Sequence, residues 1–157
     1  MSNPVLHFLI IIFVFFLQTS LAEAFCVKST RANLRSQPKS NSKIQWVVGK
    51  YMPLVRVSKK GNWFKVADLD GERHWIYSSL LTKKYPCAAI KLERVNVRNG
   101  PGTSFPYSDY RIALKYESFR RVGQKGSWYQ LANDLGTVGW VHKSALWLPI
   151  QKIRVKY

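Results

Sequence analysis

Carboxylates are scarce in this chain, which sets eight Asp and Glu against 25 Lys and Arg for a formal net charge of +17. Hydrolysis by a carboxylate pair needs two acids facing each other across a cleft. The densest acids, Asp68, Asp70 and Glu72, instead alternate around a turn. Calcium takes about six to eight oxygen ligands, more than three carboxylates supply. Asp70-Gly71 therefore reads as a hairpin turn. Histidine is scarcer still, with three residues. Neither His74 nor His142 sits in the spaced Cys or carboxylate cluster that a zinc site requires. The cysteines number two, Cys26 and Cys87, and a disulfide between them would remove both thiol nucleophiles. These absences leave no catalytic residue, no metal site and no cofactor to assign, so the chain reads as non-enzymatic. No window carries a helical stripe of apolar residues.

Long apolar runs are also missing, save one. Phe8 to Leu17 is unbroken, and Ala22-Glu23-Ala24 follows with the small-x-small pattern of a signal-peptide cleavage site. The run is short of the roughly 20 residues a membrane span needs. The spacing predicts a signal peptide over residues 1–24, a mature chain without a membrane span, and a periplasmic or secreted protein. Phe25 before Cys26 argues against a lipid anchor, which needs a small residue there. The cut takes away one acid and no base, raising the charge from +17 to +18. A field of that strength draws polyanions over a Debye length of about 8 Å. In that compartment the partners are envelope polymers or anionic lipids rather than nucleic acid; the alternative is that the charge serves solubility alone.

What the chain does have is a repeat. Asn33-Leu34-Arg35 matches Asn96-Val97-Arg98 at an offset of 63. Gly61-Asn62-Trp63-Phe64 matches Gly126-Ser127-Trp128-Tyr129, and Trp75-Ile76 matches Trp140-Val141, at an offset of 65. The second copy thus carries two extra residues between these blocks. Such a period points to tandem units: residues 27–82, a connector at 83–87, residues 88–147, and a basic tail or edge strand at 148–157. Within each copy the runs are short, β-branched and aromatic, as in Gln45–Val48, Leu54–Val57, Trp63–Val66 and His74–Tyr77. Turn residues punctuate them at Lys59–Asn62, Asp70-Gly71, Gln124–Ser127 and Leu135-Gly136. Ser78–Leu80 and Lys143–Ala145 each suit one turn of 3-10 helix before a last short strand. The fold class is all-β, two tandem small barrels. Cys26 precedes the first motif and Cys87 follows the last element of copy one, so a bond between them would join that barrel's two ends. It would close a loop of about 60 residues, worth roughly 4 kcal/mol. Two free thiols remain the alternative.

The string Asn96-Val97-Arg98-Asn99-Gly100-Pro101-Gly102, then Gly126-Ser127-Trp128-Tyr129, then Gly139-Trp140-Val141 resembles the bacterial SH3-like (SH3b) domain. Copy one carries the same blocks, with Gln37 and Lys39 in place of Gly100 and Gly102, and His74 in place of Gly139. The resemblance implies two SH3-like barrels of five or so strands, and an extracytoplasmic targeting or adaptor role. The expected function is attachment to a cell-envelope component, peptidoglycan or another anionic wall polymer. The alternative is an adaptor that recruits an envelope enzyme through a peptide groove. Small barrels fill their interiors with large side chains, which favours the core for the repeated tryptophans. As ligand contacts the candidates are Trp63, Trp128, Tyr77, Tyr107, Tyr110 and Tyr129, which could stack on a sugar or dock a proline-rich segment. Arg35 and Arg98 add guanidinium groups able to hold a carboxylate or phosphate. Oligomeric state is not legible.

Overall fold

The computed structural model describes residues 23–149. The leader assigned to residues 1–24 lies outside them except for its last two residues, and most of the 148–157 tail lies outside as well. The first sheet contains β1 (Glu23–Val27), β2 (Arg31–Arg35), β3 (Ile44–Gly49), β4 (Pro53–Lys60), β5 (Trp63–Ala67), β6 (Arg73–Tyr77) and β7 (Leu81–Thr82). The second contains β8 (Cys87–Ile90), β9 (Arg94–Arg98), β10 (Tyr107–Leu114), β11 (Ser118–Lys125), β12 (Trp128–Asn133), β13 (Gly136–His142) and β14 (Leu146–Trp147). The 3-10 turns fall at Ser78–Leu80 and Lys143–Ala145, each leading into the last short strand of its sheet. Strand order is β3-β2-β6-β5-β4-β1-β7 in the first sheet and β10-β9-β13-β12-β11-β8-β14 in the second. The two orders are the same, and every pairing is antiparallel. The edge strands of each sheet are not hydrogen-bonded to one another, so neither barrel closes.

Each sheet has seven strands where five or so were expected, and β1 and β8 are among the additional ones. Glu-Ala-Phe-Cys-Val and Cys-Ala-Ala-Ile lack the polar-apolar alternation of a half-buried strand. They are covered on both faces: Cys87, Ala88, Ala89 and Ile90 are all fully buried. β1 begins at Glu23, ahead of the expected domain start at 27, and pairs Glu23 with Arg56 and Ala24 with Val55. The Glu23 carboxylate lies 2.7 Å from Arg56 and also meets Lys83. The sheet therefore uses two residues that a cut after Ala24 would remove.

Each sheet wraps a mainly aliphatic core. Ala32 and Leu34 of β2, Leu54 of β4, Val66 of β5 and Ile76 of β6 fill the first. Val97, Ala113, Phe119, Leu131 and Val141 fill the second. The expectation that the repeated tryptophans form these cores is corrected: Trp63, Trp75, Trp128 and Trp140 are all half-buried. Aliphatic side chains fill the narrow interior, and the indoles lie over the outer faces of β5, β6, β12 and β13. β8 joins the cores, since Ala89 packs into the first while Ala88 and Ile90 pack into the second.

Cys26 and Cys87 form the disulfide, with Cα atoms 6.0 Å apart. It does not close copy one on itself as its sequence position suggests. Cys87 is the first residue of β8, so the bond ties β1 of one sheet to β8 of the other. Tyr51 and Tyr85 pack over it edge to face at 5.4 Å.

Candidate functional site

In each sheet the ladder nearly parts at one place. β2 meets β6 through the single pair Arg35–Trp75, and β9 meets β13 through Arg98–Trp140. Side chains rather than backbone bonds fill the space beside each seam.

In copy one this produces a cleft of about 290 Å³. The alternation of β2 turns Ala32 and Leu34 inward and places Arg31, Asn33 and Arg35 on the opposite face. These three line the cleft with Trp63 at the start of β5, Tyr77 at the end of β6, and Leu80 of the 3-10 turn. Trp63 and Tyr77 are cross-strand partners whose rings meet at 5.3 Å, nearly perpendicular. Asn62 donates its amide N–H to the Tyr77 hydroxyl at 3.2 Å, fixing that ring. Arg35 donates from Nη1 to the carbonyl of Ser42 at 2.6 Å. Arg98 does the same to Phe105 at 2.7 Å. Each arginine thus clamps the loop that follows its own strand. Arg31 is exposed at the cleft mouth. The arrangement offers guanidinium donors beside a fixed aromatic pair, a combination suited to a carboxylate attached to a flat or apolar group.

The other predicted contacts lie elsewhere. Arg98 stacks on Tyr107 at 5.1 Å, and Arg111 covers the same ring at 5.8 Å. Trp128 packs on His142 at 5.3 Å, repeating the Trp63–Tyr77 pair with an imidazole in place of the phenol. Tyr129 lies 5.6 Å from Arg121, a half-buried guanidinium that burial pushes below its ordinary value. Tyr110 lines a separate pocket of copy two. Of the eight predicted residues, the copy-one cleft gathers Arg35, Trp63 and Tyr77. Sequence reasoning missed Arg31 and Asn33, although their period-two spacing with Arg35 puts all three on one strand face.

The acids that alternate around the first turn are engaged locally. Asp68 accepts from the backbone N–H groups of Asp70 and Glu72, and its other oxygen lies 3.0 Å from His74 Nε2. Among the described residues no cluster of three or more His, Cys, Asp or Glu could hold a metal ion. Among the same residues no helix is long and apolar enough to cross a membrane.

Compared with known protein families, residues 28–83 match the bacterial SH3 domain. The match spans 56 of the 157 residues. The bacterial SH3 domain so matched contains the whole copy-one cleft, and the second sheet repeats its strand order. No curated protein matches the chain. Among solved structures, the chain is similar to an NlpC/P60 family protein from Bacillus cereus ATCC 10987, at 12% identity and a TM-score of 0.39. That likeness covers 82% of this chain and 57% of the other. It is also similar to NlpC2 from Trichomonas vaginalis, at 12% identity and a TM-score of 0.36, over 85% of this chain and 51% of that one. The chain thus spans little more than half the length of these structures.

Proposed function

We propose that the protein is an exported, non-enzymatic binding module that attaches to the cell envelope, with peptidoglycan or another anionic wall polymer as its ligand. The observation that carries this reading is the convergence of Arg31 and Arg35 with the Trp63–Tyr77 pair in the cleft of a bacterial SH3 domain. A wall peptide presents carboxylates beside apolar groups. The guanidinium groups take the first and the rings take the second. The net charge of +17 raises the encounter rate with any such polyanion without selecting among them.

The test is retention of the purified protein on insoluble peptidoglycan across a salt series. Cleft binding predicts retention that survives moderate salt and falls about tenfold or more in Trp63→Ala, since a buried-edge aromatic contact contributes on the order of 1 kcal/mol or more. Retention that vanishes at moderate salt, and is equal in the variant, would mean that charge alone is responsible.

A further inference from the structure

Copy two contains a pocket at a place where its sequence and strand register depart from those of copy one. Strand register locates the difference. Arg35 pairs with Ile44 and Asn33 with Val47, while Arg98 pairs with Tyr107 and Asn96 with Ile112. Between those partners copy one has Gln45 and Trp46, whereas copy two has Ser108, Asp109, Tyr110 and Arg111. The two extra residues of the repeat therefore lie in β10, as a bulge with Arg111 at φ 56°. Across the seam from this bulge, Gly139 occupies the place of His74. In copy one the His74 ring is 7% exposed, held 3.1 Å from Gln45 Oε1 and 3.0 Å from Asp68 Oδ2. In copy two residue 139 has no side chain, and the backbone runs close. A Cβ there would stand 2.7 Å from the Arg98 carbonyl and 3.0 Å from Ser108 Cβ. The result is a pocket of about 400 Å³ between the β10 bulge and the β12–β13 hairpin, within the usual size for small-ligand sites.

Its chemistry differs from that of the copy-one cleft. Asn99, Gln130, Asn133 and Thr137 supply uncharged donors and acceptors. Asp109 is the only charged side chain in the wall, and among the described residues it makes no ion pair within 4.0 Å. Tyr110 and Trp140 supply ring faces, and Leu135 on the hairpin turn is 96% exposed at the rim. Burial and the neighbouring Glu117 push the Tyr110 phenol up. In a chain of net charge +17, no Lys or Arg lines this pocket. A phosphate or carboxylate finds no counter-charge in it and meets the Asp109 carboxylate. A ligand that both donates and accepts through hydroxyl groups, and has an apolar C–H face for the rings, satisfies the wall.

We infer that this pocket binds an uncharged sugar unit. Asp109 and the amide oxygens accept from sugar hydroxyls, the amide N–H groups and Thr137 donate to them, and Tyr110 and Trp140 cover the sugar's apolar face. The site is separate from the copy-one cleft, and the two domains recognise different chemistry.

The probe is an N-acetylglucosamine oligomer, titrated into the mature protein while the amide NMR spectrum is followed. Expected are saturable shifts at Asp109, Thr137 and Gly139, and binding about tenfold weaker in Asp109→Ala and in Tyr110→Ala. Both residues are exposed, so the unliganded variant spectra should keep wild-type dispersion. Trp63→Ala should bind the oligomer as wild type does. Loss of peptidoglycan retention in that variant with sugar binding intact would support two separate sites. Shifts confined to the copy-one cleft, no shifts at any concentration, equal binding by all variants, or a response to acetyl-lysine amide and none to the sugar would each overturn the inference.

Discussion

Two glycines separate backbone freedom from crowding. Gly126 has φ 56° in the β11–β12 turn, and a Cβ there would meet nothing within 4 Å. Gly139 has φ 137° and would place its Cβ 2.7 Å from both the Arg98 carbonyl and Val97 Cγ1. Gly126→Ala is expected to cost about 1 kcal/mol, the price of a left-handed residue. Gly139→Ala adds a backbone clash to a forbidden φ and is expected to cost on the order of 3 kcal/mol or more. Urea denaturation midpoints measure both. Equal shifts would show that copy two relaxes around position 139 and that crowding does not require glycine there. His74 occupies the same place in copy one, and neither that substitution nor the extra length of β10 has any meaning until the register sets them face to face.

At the scale of elements, the hairpins explain why much of the fold was legible. Trp63–Val66 and His74–Tyr77 appear within a residue of their observed ends because alternation and turn chemistry are local signals. Both 3-10 turns fall where they were expected, for the same reason. β1 and β8 were invisible because a strand buried on both faces has no alternation to read. The disulfide's real role was hidden with them, since sequence order places Cys87 after copy one while pairing places it in the second sheet. The copy-one cleft was half legible: Arg35, Trp63 and Tyr77 were named, but their convergence depends on the seam between β2 and β6. Asp68 organises the β5–β6 hairpin, accepting two backbone N–H groups and holding His74. It is 6% exposed, so Asp68→Ala leaves the buried His74 Nε2 and two part-buried backbone N–H groups without their acceptor and is expected to destabilise by about 1–2 kcal/mol, measured by denaturation. Wild-type stability in that variant would mean that the turn is set by Gly71 alone. Strand β1 also bears on processing. Ser20-Leu21-Ala22 is a second small-x-small sequence, and a cut there would keep Glu23 for Arg56 and the buried Ala24 for the sheet. N-terminal sequencing of exported protein is expected to begin at Glu23; a start at Phe25 would show that the sheet forgoes both residues.

Across the whole molecule, the two sheets meet through matched contacts. Lys50 and Tyr51 of copy one both donate to Asp134 Oδ1 on the β12–β13 turn, at 2.7 and 2.5 Å. Their counterparts in copy two reach the β5–β6 turn: Tyr116 donates to Asp70 at 2.7 Å, with Lys115 at 3.6 Å. Both tyrosines hold φ 71°, a left-handed conformation unusual for a bulky side chain. Each copy thus presents a Lys-Tyr corner to the other's hairpin, and the Cys26–Cys87 bond sits beside the first of these corners. Asp134 lies between Asn133 and Leu135 of the copy-two pocket wall, so domain packing holds one side of that pocket. Bonds from Lys50 and Tyr51 hold the Asp134 carboxyl below its ordinary value of 3.8. A depressed carboxylate contributes stability that is present above the unfolded value and is lost as pH falls through the lower folded value. Lys50 and Lys115 are raised above 10.5 by Asp134 and by Tyr116 respectively, so their share persists below 10.5 and is lost at higher pH. The contact between the sheets is therefore expected to loosen at both extremes and to hold between them. Amide NMR shifts of Tyr51, Asp134 and Leu135 should move together below about pH 4. In Asp134→Asn the acid step at Tyr51 should disappear, while the alkaline step at Lys115 and Tyr116 remains. An acid step that persists unchanged in Asp134→Asn would show that another carboxylate controls the contact.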